Sequence, residues 1–186
     1  MDEVLPRAEA LPRAEALLRD LGAGALADPG GTLLAHLRRV RSRLAAWEAR
    51  PALQLAGLCH AFYGTDGFPD ALLPLDRRTE LAGVIGREAE AIVYSYASCD
   101  RRATYPVLAE PGAPFHDRFT GAHGVPAPGL LRDFADLTAA NELDLAEHDV
   151  AFRERWGPDL LALFTRFRPL LSRAAWDDCR RMLTSA

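Results

Sequence analysis

The stretch that decides the fold is residues 55–68, which read Leu55-Ala56-Gly57-Leu58-Cys59-His60-Ala61-Phe62-Tyr63-Gly64-Thr65-Asp66-Gly67-Phe68. The first eight of these residues are apolar except for His60, which predicts a buried helix that carries one histidine near its end. The sequence Tyr63-Gly64-Thr65 then predicts a turn, because glycine and small polar residues interrupt helices. A histidine that closes a buried helix and faces a polar turn predicts a pocket at this point of the chain.

Helical patterns continue on both sides of this stretch. Pro51 suits the first turn of the same helix, and Thr32 suits the N-cap of the preceding one. Apolar residues recur with a 3.6-residue period that glycine and proline interrupt, which is typical of a series of helices. The predicted helices end at about Asp20 for the first and then span about 32–49, 51–62, 76–98, 129–148, 158–167 and 169–184. A turn is predicted at Gly157-Pro158. Since no segment alternates like a strand, the expected fold is all-α.

Composition bounds the class of protein. The chain has 186 residues, enough for one domain with a core of its own, and a net charge of −4 that is spread along the sequence. Its 22 basic residues are all arginine, without a basic face that would indicate a nucleic-acid partner. We expect no nucleic acid and no membrane as partner, because no apolar run is long enough for a membrane span. Three scattered cysteines predict reduced thiols and a cytoplasmic protein.

Three polar residues occupy apolar helix faces: His36, His60 and Asn141. Burying a polar group costs a few kcal/mol, roughly, unless it finds a partner. Three such residues on three helices therefore predict a shared pocket, in which they meet one another, a water, a metal ion or a ligand. The alternative interpretation is that each is a hydrogen-bonded core residue.

The motifs around these residues resemble the HD-domain superfamily, and most closely an uncharacterised bacterial and plant group, the domain of unknown function DUF6817. The resemblance rests on A-G-L-x-H-x-x-Y-G-T-x-x-F at 56–68, R-x-x-x-x-x-x-I-G-x-x-A-E at 78–90, Asp100-Arg101 and Ala140-Asn141. It implies an HD-like helical bundle. We expect a single all-α domain over 1–186, with the HD-like core at about 32–146 and C-terminal helices at 150–184.

The resemblance also implies a metal centre, whose ligands in the HD superfamily are a first histidine, a His-Asp doublet and a late aspartate. Here His36 and His60 match the two histidines. Ala61 replaces the aspartate of the doublet, and Asn141 replaces the late aspartate. His36 and His60 could still hold a divalent ion such as iron, manganese or zinc, with Asp66 beyond the turn as the carboxylate ligand. A metal-free site is the alternative.

The residues around His60 suggest further roles. His60, Tyr63 and His36 are the predicted catalytic residues, since an imidazole titrates near neutral pH. Thr65, Gly64, Asn141 and Arg78 are the predicted substrate-binding residues. On the helix predicted at 76–98, the period places Glu88 on the inner face, where it would pair with a buried arginine or histidine.

The sequence favours a small-molecule enzyme over other classes. With a metal, the expected chemistry is hydrolysis by a metal-activated water or oxygenation at iron; without one, His60 would act as acid and base. The alternative is a non-catalytic ligand-binding or interaction protein on the same scaffold. An apolar face on the terminal helix predicts a homodimer, through Leu170, Leu171, Ala174 and Leu183.

Overall fold

The structure, a computed structural model, describes residues 7–67 and 70–184, so that Phe68 of the motif lies outside the described residues. The described part is built from helices: α1 (Arg7–Asp20), α2 (Leu33–Ala46), α3 (Pro51–Cys59), α4 (Arg78–Ile85), α5 (Arg87–Ser98), α6 (Arg101–Thr104), α7 (Pro128–His148), α8 (Val150–Phe167) and α9 (Arg173–Thr184). The prediction of an all-α fold is confirmed. Within these residues, no helix has the length and apolar character needed to cross a membrane.

Two short antiparallel hairpins accompany the helices. The first pairs β1 (Ala27–Asp28) with β2 (Gly31–Thr32), immediately before α2. The second pairs β3 (Phe115–His116) with β4 (His123–Gly124), inside the long connection between α6 and α7. Each strand has only two residues, so their period-2 signal is too short to detect in the sequence.

The chain divides into two compact units, Met1–Ala97 and Ser98–Ala186. In the first unit, α3 packs against α1, α2 and α4. The predicted start signals are present: the Thr32 side chain accepts a hydrogen bond from the Ala35 N–H and caps α2, and Pro51 opens α3. The prediction of a buried helix in the His60 motif is therefore confirmed for this unit. The prediction of one domain over the whole chain stays a prediction.

The helix predicted over 76–98 is wrong in one respect, because it is interrupted. A 3₁₀ turn (Leu75–Arg77) precedes α4, and Gly86, with φ 87° and ψ 153°, separates α4 from α5. This backbone conformation is open essentially to glycine alone. The interruption changes the phase of the apolar period, so Glu88 is exposed and pairs with Arg50 at the surface, whereas Glu90 is buried. The inner position predicted for Glu88 is thus incorrect.

In the second unit, α7, α8 and α9 pack against one another. The predicted turn at Gly157-Pro158 is wrong, because α8 runs through both residues from an N-cap at Asp149. Proline removes one backbone hydrogen bond from a helix interior, and the burial of side chains further along α8 offsets that loss: Leu160, Leu163, Phe164 and Phe167.

The apolar face predicted for a homodimer is not present as predicted. Leu171 and Leu183 are buried, with 6% and 8% of their surface exposed. Both Leu170 and Leu171 precede α9, which begins at Arg173. The terminal helix predicted to begin at 169 thus begins four residues later, so Leu170 and Leu171 do not lie on it.

Candidate functional site

A close approach of α2 and α3 brings the two predicted histidines together. Gly57 lies on α3, and a Cβ atom at this position would overlap Leu44 Cδ1 of α2, with Val40 also in contact. Only a glycine lets the two helices come this close without displacing Leu44. The His36 and His60 rings lie edge to face, with centroids 5.3 Å apart.

The two histidines belong to a larger group of side chains in the first unit. Asp28 Oδ1 lies 3.7 Å from His36 Nδ1, at ion-pair distance. On the other side, the Tyr96 ring meets the His60 ring edge to face at 5.3 Å. We call Asp28, His36, His60 and Tyr96 the histidine row. Both histidines are only 3% exposed, so their polar ring atoms need partners within the protein.

The tautomer of His60 follows from its backbone partner. His60 Nδ1 lies 2.8 Å from the carbonyl oxygen of Gly57. A carbonyl oxygen can only accept a hydrogen bond, so Nδ1 carries a hydrogen and donates it. In the neutral ring, Nε2 is then the basic nitrogen. A backbone bond of this kind fixes the orientation of an imidazole that acts as a base or a ligand.

A second group surrounds the turn that follows α3. The Tyr63 hydroxyl donates a hydrogen bond to Glu90 Oε1 at 2.9 Å. Arg78 donates two hydrogen bonds to the same carboxylate, from Nε to Oε1 at 2.7 Å and from Nη2 to Oε2 at 2.9 Å. The Arg78 guanidinium also stacks on the Tyr94 ring, with Cζ 3.7 Å from its centroid. We call Tyr63, Arg78, Glu90 and Tyr94 the glutamate cluster.

Burial and charge in the glutamate cluster shift the pKa values of two side chains, Tyr63 and Arg78. Burial raises the pKa of the Tyr63 phenol, and the Glu90 carboxylate raises it further. The hydrogen bonds to Glu90 raise the pKa of the Arg78 guanidinium. Tyr63 is therefore a neutral hydrogen-bond donor to Glu90 at physiological pH. Because both hydrogen bonds from the Arg78 guanidinium go to Glu90, Arg78 positions this carboxylate. This role is additional to the predicted role of Arg78 in binding substrate.

The turn residues predicted to bind substrate differ in their burial. Gly64 has a φ of 70°, in the left-handed region that glycine adopts most easily, and its N–H donates to the Ala61 carbonyl oxygen. Thr65 is buried, whereas Asp66 is exposed. The predicted carboxylate ligand thus lies at the surface, while the carboxylate that the structure places beside His36 is Asp28.

Asn141, the third predicted pocket residue, lies in the second unit on α7. It is buried, and its amide donates to Glu142 Oε1 at 3.4 Å. The same Glu142 oxygen lies 3.6 Å from Arg101 Nη1. The structure therefore places Asn141 beside an ion pair of its own unit.

The side chains do not reproduce the ligand set of an HD metal centre. Ala61, which stands where the doublet has aspartate, is buried and offers no ligand atom. Across residues 7–67 and 70–184, no three His, Cys, Asp or Glu side chains are grouped as a metal site. His36 and His60 are thus a two-histidine arrangement without a third grouped ligand.

Four residues of these groups are absent from the predicted site: Asp28, Glu90, Tyr94 and Tyr96. Asp28 begins the sequence Asp28-Pro29-Gly30-Gly31, a strong turn signal that predicts a hairpin directly before α2. Tyr96 lies on the apolar stripe of α5, where it reads as a core residue. Glu90 is part of the motif at 78–90 but, without the break at Gly86, its burial could not be predicted.

Comparisons with known proteins agree with the motifs and add no named relative. No curated protein and no solved structure matches the chain. Residues 17–101 match the family described as a domain of unknown function, DUF6817. This span contains both histidines of the histidine row and the whole glutamate cluster, whereas Asn141 lies outside it. Over residues 17–101 the chain is therefore similar to the DUF6817 family, as the motif around His60 predicts.

Proposed function

We propose that the first unit carries a general acid–base site for a small-molecule substrate, with His60 as the group that takes and returns the proton. The observation that carries this proposal is the 2.8 Å bond from His60 Nδ1 to the Gly57 carbonyl oxygen. It holds the ring in one orientation and leaves Nε2 as the basic nitrogen. Elimination, isomerisation and hydrolysis are the reactions that one such imidazole supports.

The rest of the histidine row places further polar groups beside His60. His36 contacts the His60 ring, and Asp28 Oδ1 lies 3.7 Å from His36 Nδ1. His36 is therefore the second catalytic residue of the proposal. Tyr63, Gly64 and Thr65 follow His60 by three to five residues in the chain and are the proposed substrate contacts, with the phenol held in place by Glu90.

A resident HD-type metal ion receives less support from these side chains. The HD superfamily uses aspartates where this chain has Ala61 and Asn141, and the described residues contain no group of three ligands. His60 is therefore proposed to act without a resident metal ion. The three cysteines form no disulfide, which supports a reducing compartment, and we place the enzyme in the cytoplasm on this ground.

The test begins with the tautomer and then turns to catalysis. In nitrogen-detected NMR spectra at neutral pH, we expect the His60 ring to carry its hydrogen on Nδ1. The protein is then screened for turnover of chromogenic carboxylic, phosphate and glycosidic esters and of a metabolite mixture followed by proton NMR. For any substrate turned over, His60→Gln should lower kcat about 10²- to 10⁴-fold, the range of general acid–base catalysis.

The control variant is His148→Gln, since His148 lies on α7 and bonds to the Asp144 carbonyl oxygen of its own helix. It should leave turnover unchanged. Turnover that survives in His60→Gln would refute the proposal.

One observation favours a second candidate, a non-catalytic ligand-binding protein. Ala61 is buried at the position where the HD doublet has aspartate, as expected of a scaffold that has lost its chemistry. Such a protein would bind a compound from the metabolite mixture without converting it. The affinity of the protein for this compound would also survive in His60→Gln. The acid–base proposal does not require that the variant keep this affinity.

A further inference from the structure

A second pair of histidines lies outside the proposed site, on the β3–β4 hairpin of the second unit. His116 and His123 are directly opposite each other in the antiparallel register. Their rings are stacked, with centroids 5.7 Å apart and planes inclined by 29°. His123 is exposed and His116 is partly exposed, so that solvent ions reach this pair.

The backbone of His116 shows which kind of cross-strand pair this is. Its N–H donates to Thr104 Oγ1 at 3.1 Å, and its carbonyl oxygen accepts from the Asp100 N–H at 2.9 Å. Both main-chain groups of His116 therefore face away from β4. Opposite residues of this non-hydrogen-bonded type bring their side chains closer together than hydrogen-bonded ones do.

The hairpin is held in shape by bonds that do not involve the imidazoles. The Asp117 N–H donates to the Ala122 carbonyl oxygen at 2.8 Å. In the loop between the strands, Asp117 Oδ1 accepts from the backbone N–H groups of Phe119 and Thr120. The two rings are thus positioned by a turn that is already ordered, which lowers the entropy cost of binding a ligand between them.

We propose that His116 and His123 form a two-histidine site for a borderline divalent transition-metal ion, such as Cu²⁺, Ni²⁺ or Zn²⁺, with water completing its coordination. Imidazole nitrogen is a preferred ligand of these ions. Metal–nitrogen bonds of about 2.1 Å at a tetrahedral angle place two imidazole centroids about 5–6 Å apart, and the observed separation falls in this range. The site is independent of the proposed function of the first unit.

The experiment is a titration of the untagged, chelator-treated full-length protein with CuCl₂, followed by calorimetry and by electron paramagnetic resonance. We expect one equivalent of Cu²⁺ whose spectrum shows coupling to imidazole nitrogen. His116→Ala and His123→Ala should each weaken this binding at least tenfold. His148→Ala, which removes a histidine from α7, should leave it unchanged.

Two measurements keep the result interpretable. Circular dichroism and amide exchange at Asp117, whose N–H bonds across the hairpin, show whether each variant keeps its fold. Equal affinity in the wild type, His116→Ala and His123→Ala would overturn the proposal. It would equally be overturned if the Cu²⁺ equivalent were lost in His36→Gln/His60→Gln and retained in both hairpin variants, because the ion would then belong to the first unit.

Discussion

The Tyr63 hydroxyl donates a hydrogen bond to Glu90 Oε1 at 2.9 Å, across 27 residues of sequence. The Glu90 carboxylate also accepts two hydrogen bonds from the Arg78 guanidinium. Tyr63 follows His60 by three residues, so this bond anchors the turn after α3 to α5. The stability of that turn therefore depends on an interaction in which one partner is charged and both partners are buried.

Tyr63→Phe should lower the free energy of unfolding by about 1–3 kcal/mol, since hydrogen bonds to charged groups are stronger than neutral ones. Urea unfolding at pH 7 measures the change. In a double-mutant cycle with Glu90→Gln, the two losses should be less than additive because the variants remove the same bond. Fully additive losses would show that the two groups are not coupled.

The same variant makes a prediction about pH. Burial, followed by the Glu90 charge, raises the pKa of Tyr63 in the folded protein. The stability that this phenol contributes is complete below the ordinary tyrosine pKa of about 10 and is lost as the pH rises through the folded value. The stability difference between wild type and Tyr63→Phe should thus narrow above about pH 10. A difference that stays constant to pH 11 would contradict this prediction.

Gly57 predicts a packing cost at the contact of α2 and α3. In Gly57→Ala the new methyl group would overlap Leu44, which is fully buried. We expect a loss of about 1–3 kcal/mol, the usual cost of overpacking a core. Because the Gly57 carbonyl oxygen orients His60, the His60 ring resonances should shift as well.

A glycine with space around it provides the matched control for this variant. Gly83 lies within α4, and a Cβ there would meet nothing within 4 Å. Gly83→Ala should therefore raise the free energy of unfolding by about 0.5–1 kcal/mol, the ordinary gain of alanine in a helix. Denaturant titrations of the two variants should move in opposite directions; a loss in both would point to a general intolerance of alanine.

Asp136 predicts an effect of pH on the second unit. Burial raises the pKa of this carboxyl, the Ser172 N–H bonded to it lowers the pKa, and the neighbouring Asp133 raises it. With a raised folded pKa, the contribution of Asp136 to stability is complete below the ordinary aspartate pKa of about 3.9 and is lost as pH rises through the folded value. Asp136→Asn keeps an acceptor for Ser172 and should be more stable than wild type at pH 7.

This advantage of Asp136→Asn should shrink towards pH 4, as wild-type Asp136 takes up its proton. Thermal unfolding followed between pH 4 and 8 measures it. Asp177→Asn is the control, since Asp177 is exposed on α9 and its change should stay within about 0.5 kcal/mol. An Asp136→Asn variant that is less stable at pH 7 would mean that the negative charge itself stabilises the fold.

The cysteines predict resistance to alkylation. Cys59, Cys99 and Cys179 form no disulfide and are fully buried, and burial raises the pKa of the Cys59 thiol. Since the thiolate is the reactive form, iodoacetamide at pH 8 should modify none of the three in the folded protein and all three in urea. Intact-mass spectrometry distinguishes these states. Rapid modification under native conditions would indicate local opening of the structure around the modified thiol.

Local signals predicted the helices well where a single residue sets a boundary. Thr32 caps α2 and Pro51 opens α3, as their side-chain chemistry requires. Interruptions were harder to predict, because Gly86 breaks a helix that its apolar period would continue, and Pro158 leaves intact a helix that proline would normally end. In both cases the packing of distant residues decides the outcome, and a local pattern contains no information about it.

The candidate site likewise contains residues that the sequence predicts and residues that it does not. The apolar helix and the A-G-L-x-H motif were enough to predict His36 and His60, which the structure brings into contact. Asp28 could not be assigned to that site, since a carboxylate in a turn gives no sign of the helix it will approach. The role of Glu90 depends on the change of helix phase at Gly86 and was accessible only from the three-dimensional structure.

The break at Gly86 also decides which distances are available to the glutamate cluster. Arg78 and Glu90 are twelve residues apart, which in an uninterrupted helix would separate them by about 18 Å along the axis. Their hydrogen-bonded contact exists because the helix is interrupted at Gly86, between α4 and α5. Gly86 thus lets Arg78 and Glu90 meet although they are far apart in the sequence. Lengthening either helix by one residue would rotate Arg78 or Glu90 out of reach without removing any charged group.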